Sequence, residues 1–145
     1  MQFVEDVLDS VDCPGLDVVV DDLGVQVITL NRPEKLNSFT REMYTALPKL
    51  LKAAAVDPKI KVTIITGQGR YYSTGNDLSN FTKVDMSNLA PFAKEARDEL
   101  EVFVNAWIDY PKPILAAVNG PTMGISCTTL ALCDAVFASD RYVCS

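Results

Sequence analysis

The 145-residue chain contains no histidine. That absence removes the Ser-His-Asp triad, imidazole acid–base chemistry and most zinc sites together. The four cysteines, Cys13, Cys127, Cys133 and Cys144, form no Cys-x-x-Cys pair. A metal knuckle therefore lacks ligands, and buried thiols in a reduced compartment are expected. A cationic surplus is missing as well. The 13 Lys and Arg stand against 19 Asp and Glu, a net charge of −6, which argues against nucleic-acid binding through a basic surface. No apolar run reaches the length of a membrane span. The acidic start Met1-Gln2-Phe3-Val4-Glu5-Asp6 has neither the basic and apolar regions of a secretory signal nor the arginines of a mitochondrial presequence. Asn80-Phe81-Thr82 is accordingly read as a chance sequon. Gly67-Gln68-Gly69 fits neither the Walker loop nor the G-x-G-x-x-G spacing.

What is present is a core. Hydrophobic residues make up 48% and charged residues 22%, the balance of a packed globular domain. Residues 1–16, with Pro14-Gly15, read as a flexible arm, and 17–145 as one α/β unit. Asp17–Val20 and Val25–Leu30 flank an Asp/Gly turn and predict a β-hairpin. Thr40 is the expected N-cap of a helix whose face is Met43, Leu47, Leu50, Leu51 and Ala54. Pro48 inside it predicts a kink, and Asp57-Pro58 its end. Val62–Thr66 predicts a buried strand. Residues 79–90 predict a mobile loop, then a helix from about Pro91 with the stripe Phe92, Ala96, Leu100, Phe103 and Trp107. Its acidic residues Glu95, Asp98, Glu99 and Glu101 are expected on a solvated face. Ile114–Val118 predicts a short buried strand, Gly124 or Ile125 to Leu132 a helix, and Asp134–Ala138 a strand. Alternating strands and helices imply an α/β fold.

Two strand exits have the same construction. Val62–Thr66 runs into the turn around Gly75-Asn76, and Ile114–Val118 into Gly124-Ile125 at a helix start. If the two strands neighbour each other in a parallel sheet, both exits lie at their carboxyl ends, where α/β sheets place ligands. Free backbone N–H groups from both could meet at one carbonyl oxygen, the second at a helix N-terminus. One such donor is typically worth ~3–4 kcal/mol of barrier for an enolate or tetrahedral oxyanion.

Four segments carry a resemblance. Ile28-Thr29-Leu30-Asn31-Arg32-Pro33-Glu34-Lys35-Leu36-Asn37, Tyr72-Ser73-Thr74-Gly75-Asn76-Asp77-Leu78, Pro113-Ile114-Leu115-Ala116-Ala117-Val118-Asn119-Gly120 and Cys133-Asp134 resemble the crotonase (enoyl-CoA hydratase/isomerase) superfamily, in its order and at its separations. Within it, Tyr71 to Phe81, Asp109-Tyr110-Pro111-Lys112-Pro113 and Ala138-Ser139-Asp140-Arg141 are most similar to the Δ3,Δ2-enoyl-CoA isomerases. The resemblance implies a crotonase-like ββα-repeat spiral, with this chain as its N-terminal portion, ending before the C-terminal helical part. It implies that the N–H groups of Asn76 and Ile125 form the oxyanion hole. Lys35, Leu36 and Asn37 would lie along the nucleotide end of coenzyme A. Ser73, Thr74, Gly75, Asp77, Leu78 and Gly124 would wall the acyl thioester, although Asp77 also reads as a helix cap.

Thr128 stands where the hydratases of the family carry a glutamate, which disfavours water addition and favours isomerisation. The implied reaction moves the double bond of a 3-enoyl-CoA to trans-2-enoyl-CoA without a cofactor or metal. The isomerases' glutamate and the helices of their homotrimers or hexamers are expected beyond Ser145. Location by resemblance is the peroxisome or mitochondrion, or the cytosol if these residues are the whole product. A non-catalytic acyl-CoA-binding module and an inactive truncated isoform stay open as alternatives.

Overall fold

The computed structural model describes residues 12–82 and 89–145. The expected hairpin is β1 (Leu16–Val20) and β2 (Val25–Leu30), antiparallel with Leu16 opposite Leu30. Asp21 closes its turn by accepting the N–H groups of Leu23 and Val25 through Oδ1 at 2.9 and 2.8 Å. Helix α1 (Arg41–Val56) follows, with the Thr40 side chain accepting from Met43 N–H, and runs through Pro48 without interruption. Then come β3 (Val62–Gly67), helix α2 (Leu89–Ile108), β4 (Ile114–Val118), the short helix α3 (Ile125–Leu130) and β5 (Ala135–Ala138). Helix α2 begins two residues before Pro91, in a region expected to be loop. A proline is as acceptable there as at the first helical position, because the first-turn N–H groups have no intrahelical acceptor.

The five strands form one sheet in the order β1-β2-β3-β4-β5. β2, β3, β4 and β5 are parallel, so each helix is a crossover between neighbours. A second, thinner ladder runs beside the sheet through single parallel bridges, Phe39 to Asn76, Ser73 to Thr122 and Thr122 to Cys144. Each turn of the chain thus supplies a long strand, a one-residue bridge and a helix. This is the ββα-repeat spiral expected from the resemblance.

The core lies on one face of the sheet. Ile28, Leu30, Ile65, Ile114, Ala116 and Val118 are buried with Met43, Leu47, Leu50 and Leu51 of α1 and Phe103 and Trp107 of α2. The row Val27, Ile64, Leu115, in register across three strands, stays half-buried on the other face. The expected burial of β3 and β4 holds on the face that the two long helices cover. Phe39, Tyr44, Phe103 and Trp107 form a chain of tilted and edge-to-face rings with centroids 4.8–6.0 Å apart, the geometry that the aromatic quadrupole favours.

Three expectations need correction. Leu100, placed in the buried stripe, is 42% exposed, because the amino-terminal half of α2 stands away from the sheet. Glu99 is not on a solvated face: it turns toward α1 and engages Arg41. The cysteines are not all buried: Cys144 is exposed, where the Thr122–Cys144 bridge lays the final segment against α3, and its Cα stands 6.1 Å from that of Cys127. Of the arm, residues 1–11 lie outside the described residues, whereas Cys13 and Leu16 are buried in the core. Residues 83–88 of the expected loop also lie outside them.

Phe103 is fully buried and Leu100 is not. Phe103→Ala should therefore cost about 3–5 kcal/mol of unfolding free energy, and Leu100→Ala less than about 1 kcal/mol. Urea titration followed by circular dichroism measures both, and equal losses would show that α2 is not seated by its carboxyl-terminal half.

Candidate active site

The site is built from the turn that leaves β3. Two asparagines hold it from opposite sides. Asn37, fully buried, donates through Nδ2 to the carbonyls of Gln68 and Tyr71 at 2.9 and 2.8 Å and accepts Arg32 N–H through Oδ1. Asn119, just past β4, donates to the carbonyls of Gly69 and Tyr71 and accepts Gly67 N–H. Leu36 and Asn37 both adopt left-handed φ, 52° and 55°. Such backbone strain persists when surrounding bonds over-determine it, as the three bonds of Asn37 do.

Beyond the turn, residues 72–76 lie against the segment that leaves β4. Tyr72 N–H donates to the Pro121 carbonyl and Met123 N–H to the Ser73 carbonyl, both at 3.0 Å. The Ser126 hydroxyl stands 3.0 Å from the Ser73 carbonyl and 2.6 Å from that of Met123, and accepts from Thr122. The buried Ser73 hydroxyl donates to Asn37 O at 2.7 Å and accepts Gly75 N–H. Gly75 sits at φ +78°, and a Cβ there would lie 2.6 Å from Met123 O and 3.4 Å from Ile125 N. Only glycine lets the two backbones come this close.

This contact brings the Gly75 turn against Ile125, so the two segments that carry the expected donors meet here. Phe39 N–H donates to Gly75 O and Asp77 N–H to Phe39 O, which leaves the intervening N–H of Asn76 turned away from that ladder. Ile125 is the first residue of α3, so its N–H has no intrahelical acceptor. Among the described residues neither N–H has a hydrogen-bond partner. Asn76 also lines a cavity of about 190 Å³, with Tyr44, Phe81, Phe92 and Leu100 among its apolar walls and Arg41 and Glu99 among its polar ones.

The remaining expected site residues are distributed around this centre. Thr74 N–H donates to Leu36 O at 3.1 Å, which joins the 35–37 loop to the site. Lys35, Leu36 and Leu78 are exposed. Gly124 N–H donates to Ser145 O. Asp77 caps the 3-10 turn Leu78–Phe81 by accepting Ser79 N–H, and its Oδ2 pairs with Arg32 at 2.9 Å and accepts Ser38 Oγ–H at 3.0 Å. The Ser79 bonds first, then those from Arg32 and Ser38, hold its carboxyl well below its ordinary range. Thr128 is exposed on α3. Burial pushes the Cys133 thiol up to about 11, so it stays protonated near neutrality and is a poor nucleophile. Among the described residues no cluster of His, Cys, Asp and Glu could hold a metal, and no helix is long and apolar enough to cross a membrane.

Sequence reasoning missed Arg41 and Ser126 and misplaced Glu99. Nothing in the spacing marks a surface arginine as the partner of a glutamate 58 residues later. The Thr122-x-x-x-Ser126 interval around Gly124 was the one signal for the hydroxyl bridge.

Residues 21–143 match the family model described as enoyl-CoA hydratase/isomerase. The chain is 48% identical over 124 residues to enoyl-CoA delta isomerase 2 of Homo sapiens, covering 86% of this chain and 31% of that protein. It is 45% identical to the peroxisomal enoyl-CoA delta isomerase 3 of Mus musculus, covering 38% of it. It thus spans about a third of the length of these relatives. An enoyl-CoA hydratase/isomerase structure from Mycobacterium paratuberculosis superposes with a TM-score of 0.81 at 31% identity, over 92% of this chain and 53% of that one.

Two predictions follow from the glycine and the carboxylate. Gly75→Ala should cost about 2–4 kcal/mol, since it adds both a left-handed penalty and a clash with a backbone oxygen. Asn76→Ala, whose side chain bonds only Asn80 among the described residues, should cost less than about 1 kcal/mol; denaturant titration separates the two. Because the Asp77 carboxyl is depressed in the folded protein, its stabilisation is present above its ordinary value of 3.8 and is lost as pH falls below it. The difference in Tm between the parent and Asp77→Asn should therefore be widest near neutrality and close in acid. A pH-independent gap would contradict the capping role.

Proposed function

Since the chain belongs to the enoyl-CoA hydratase/isomerase family, we propose that it supplies the thioester-binding half of an enzyme that converts 3-enoyl-CoA to trans-2-enoyl-CoA. The observation that carries this reading is the pair of unpartnered N–H groups of Asn76 and Ile125 beside the Gly75–Met123 contact. A thioester carbonyl accepting both N–H groups gains more as its oxygen becomes an enolate than it had in the ground state. That difference lowers the barrier to removing the C2 proton. The α3 N-terminus adds a favourable field at the same oxygen. Return of the proton at C4 completes the shift of the double bond, and a single carboxylate can carry it between the two carbons.

Thr128 supports isomerisation over hydration. A threonine hydroxyl does not activate water as a glutamate does, and it stands exposed on α3. Among the described residues the cavity beside Asn76 holds one carboxylate, Glu99, and Arg41 engages both of its oxygens. We assign it no proton-transfer role. The exposed Lys35 and Leu36 border the site where the nucleotide end of coenzyme A would lie, with Asn37 holding their loop. Ser73, Thr74, Gly75, Asp77, Leu78 and Gly124 frame the thioester, Asp77 through the turn that it caps. A peroxisomal or mitochondrial location and the oligomeric assembly of the family belong to the same proposal. So does the second reading, an acyl-CoA-binding module without turnover, which the engagement of Glu99 favours for these 145 residues.

The test is a titration with octanoyl-CoA beside an assay of conjugated-thioester absorbance with a 3-enoyl-CoA. Binding is expected, with turnover about 10²–10⁴-fold below that of a relative that carries its base. Failure to bind would overturn the reading. Relative-like turnover would make a carboxylate of this chain, Glu99 first, the base.

A further inference from the structure

We propose that the Arg41–Glu99 ion pair is a chain-length gate. Closed, it confines the acyl group to the cavity beside Asn76; longer chains must part it to reach a groove behind. The inference rests on the thioester-binding reading of the site and adds to it a substrate class, acyl groups of short to medium length.

The cavity that Asn76 lines holds about 190 Å³, below the ~300–1,000 Å³ of typical ligand sites. A second hollow of about 720 Å³ lies between α1 and α2, lined by Pro48, Pro91 and Val102 among others. Tyr44 and Glu99 line both hollows, so these two side chains form the partition. They differ in how firmly they are held. The Tyr44 ring packs on Phe39 and Phe103, with centroids 5.8 and 4.8 Å away, and is a fixed post. Among the described residues Glu99 is held across the gap by Arg41 alone, through Nη2 to Oε1 at 2.5 Å and Nε to Oε2 at 3.3 Å. Arg41 also reaches Glu95 at 3.0 Å, which lines only the groove.

Arg41 and Glu99 therefore stitch α1 to α2 across the path from the cavity to the groove. With side chains 38% and 28% exposed, the pair is solvated enough to part at small cost. Such a gate grades chain lengths rather than barring the long ones. An acyl tail that ends within the cavity buries its methylenes without moving either residue. Each further methylene must displace the carboxylate before it gains apolar contact.

The test is calorimetric titration of the chain with butanoyl-, octanoyl- and dodecanoyl-CoA, below their micelle concentrations. It compares the parent, Glu99→Ala, and Glu101→Ala as an exposed control on the same helix. Glu99→Ala should strengthen dodecanoyl-CoA binding by about tenfold or more and leave butanoyl-CoA unchanged, and Glu101→Ala should alter neither. Ala96→Phe, which fills the inner cavity from its wall, tests the gate from the other side. It should weaken octanoyl-CoA while sparing acetyl-CoA, and it carries the test if Glu99→Ala fails to fold. Parallel length profiles in the parent and Glu99→Ala, with butanoyl-CoA bound by both, would overturn the gate and leave the thioester reading standing. Binding of no thioester by any form would overturn that reading, and the gate with it.

Discussion

The structure depends on one close approach of backbone to backbone. Residues 72–75, leaving β3, and residues 121–125, leaving β4, press together until a Cβ at Gly75 would meet the carbonyl oxygen of Met123. A similar approach occurs nearer the strand ends of the same two segments, where a Cβ at Gly120 would fall 2.0 Å from Arg70 O. Contact at this range leaves no room for water between the segments, so their polar groups must satisfy one another. Ser73, Thr122 and Ser126, all fully buried, do that with hydroxyls. The N–H groups of Asn76 and Ile125, for which the described residues supply no partner, stand at the edge of the contact. A donor pair pre-positioned by a rigid surround costs no reorganisation when a charge develops on a bound oxygen.

The asparagines extend this constraint to the rest of the spiral. Asn37 and Asn119 grip the same short turn from the loop after β2 and from the end of β4. Three successive repeats thus share one set of hydrogen bonds. Asn37 adopts left-handed φ to do so, which its short amide side chain tolerates better than most. Arg32 adds a charged tie from the same loop to Asp77. Residues that would contact coenzyme A and residues that hold the site together are therefore interleaved along 32–37. Lys35 and Leu36 face solvent while Arg32 and Asn37 face inward.

The two long helices serve the site differently at their two ends. The carboxyl-terminal half of α2 seats Phe103 and Trp107 in the core, and its amino-terminal half stands off and makes a cavity with α1. The hydrophobic stripe is continuous in sequence from Phe92 to Trp107, but it is buried only where a neighbour lies within reach. Leu100 therefore borders a hollow, and the charges of the same half meet Arg41 across it.

Much was legible in the residues alone. β-branched runs around an Asp/Gly turn marked the hairpin, short apolar runs marked β3, β4 and β5, and Thr40 marked a helix start to the residue, because hydrogen bonding and sterics at those points are local. The glycine turns after β3 and β4 marked two places where backbone donors could be left free. What sequence could not decide was which distant groups meet. The pairing of Arg41 with Glu99, the approach of Cys144 to Cys127 and the exposure of Leu100 each follow from the angle at which elements pack. A face of alternating or helical period says that a residue can be buried, not what will cover it. The approach of the Gly75 turn to Ile125 belongs to both levels. Local chemistry left each N–H unpaired, and only the parallel pairing of β3 with β4 brought the two turns together.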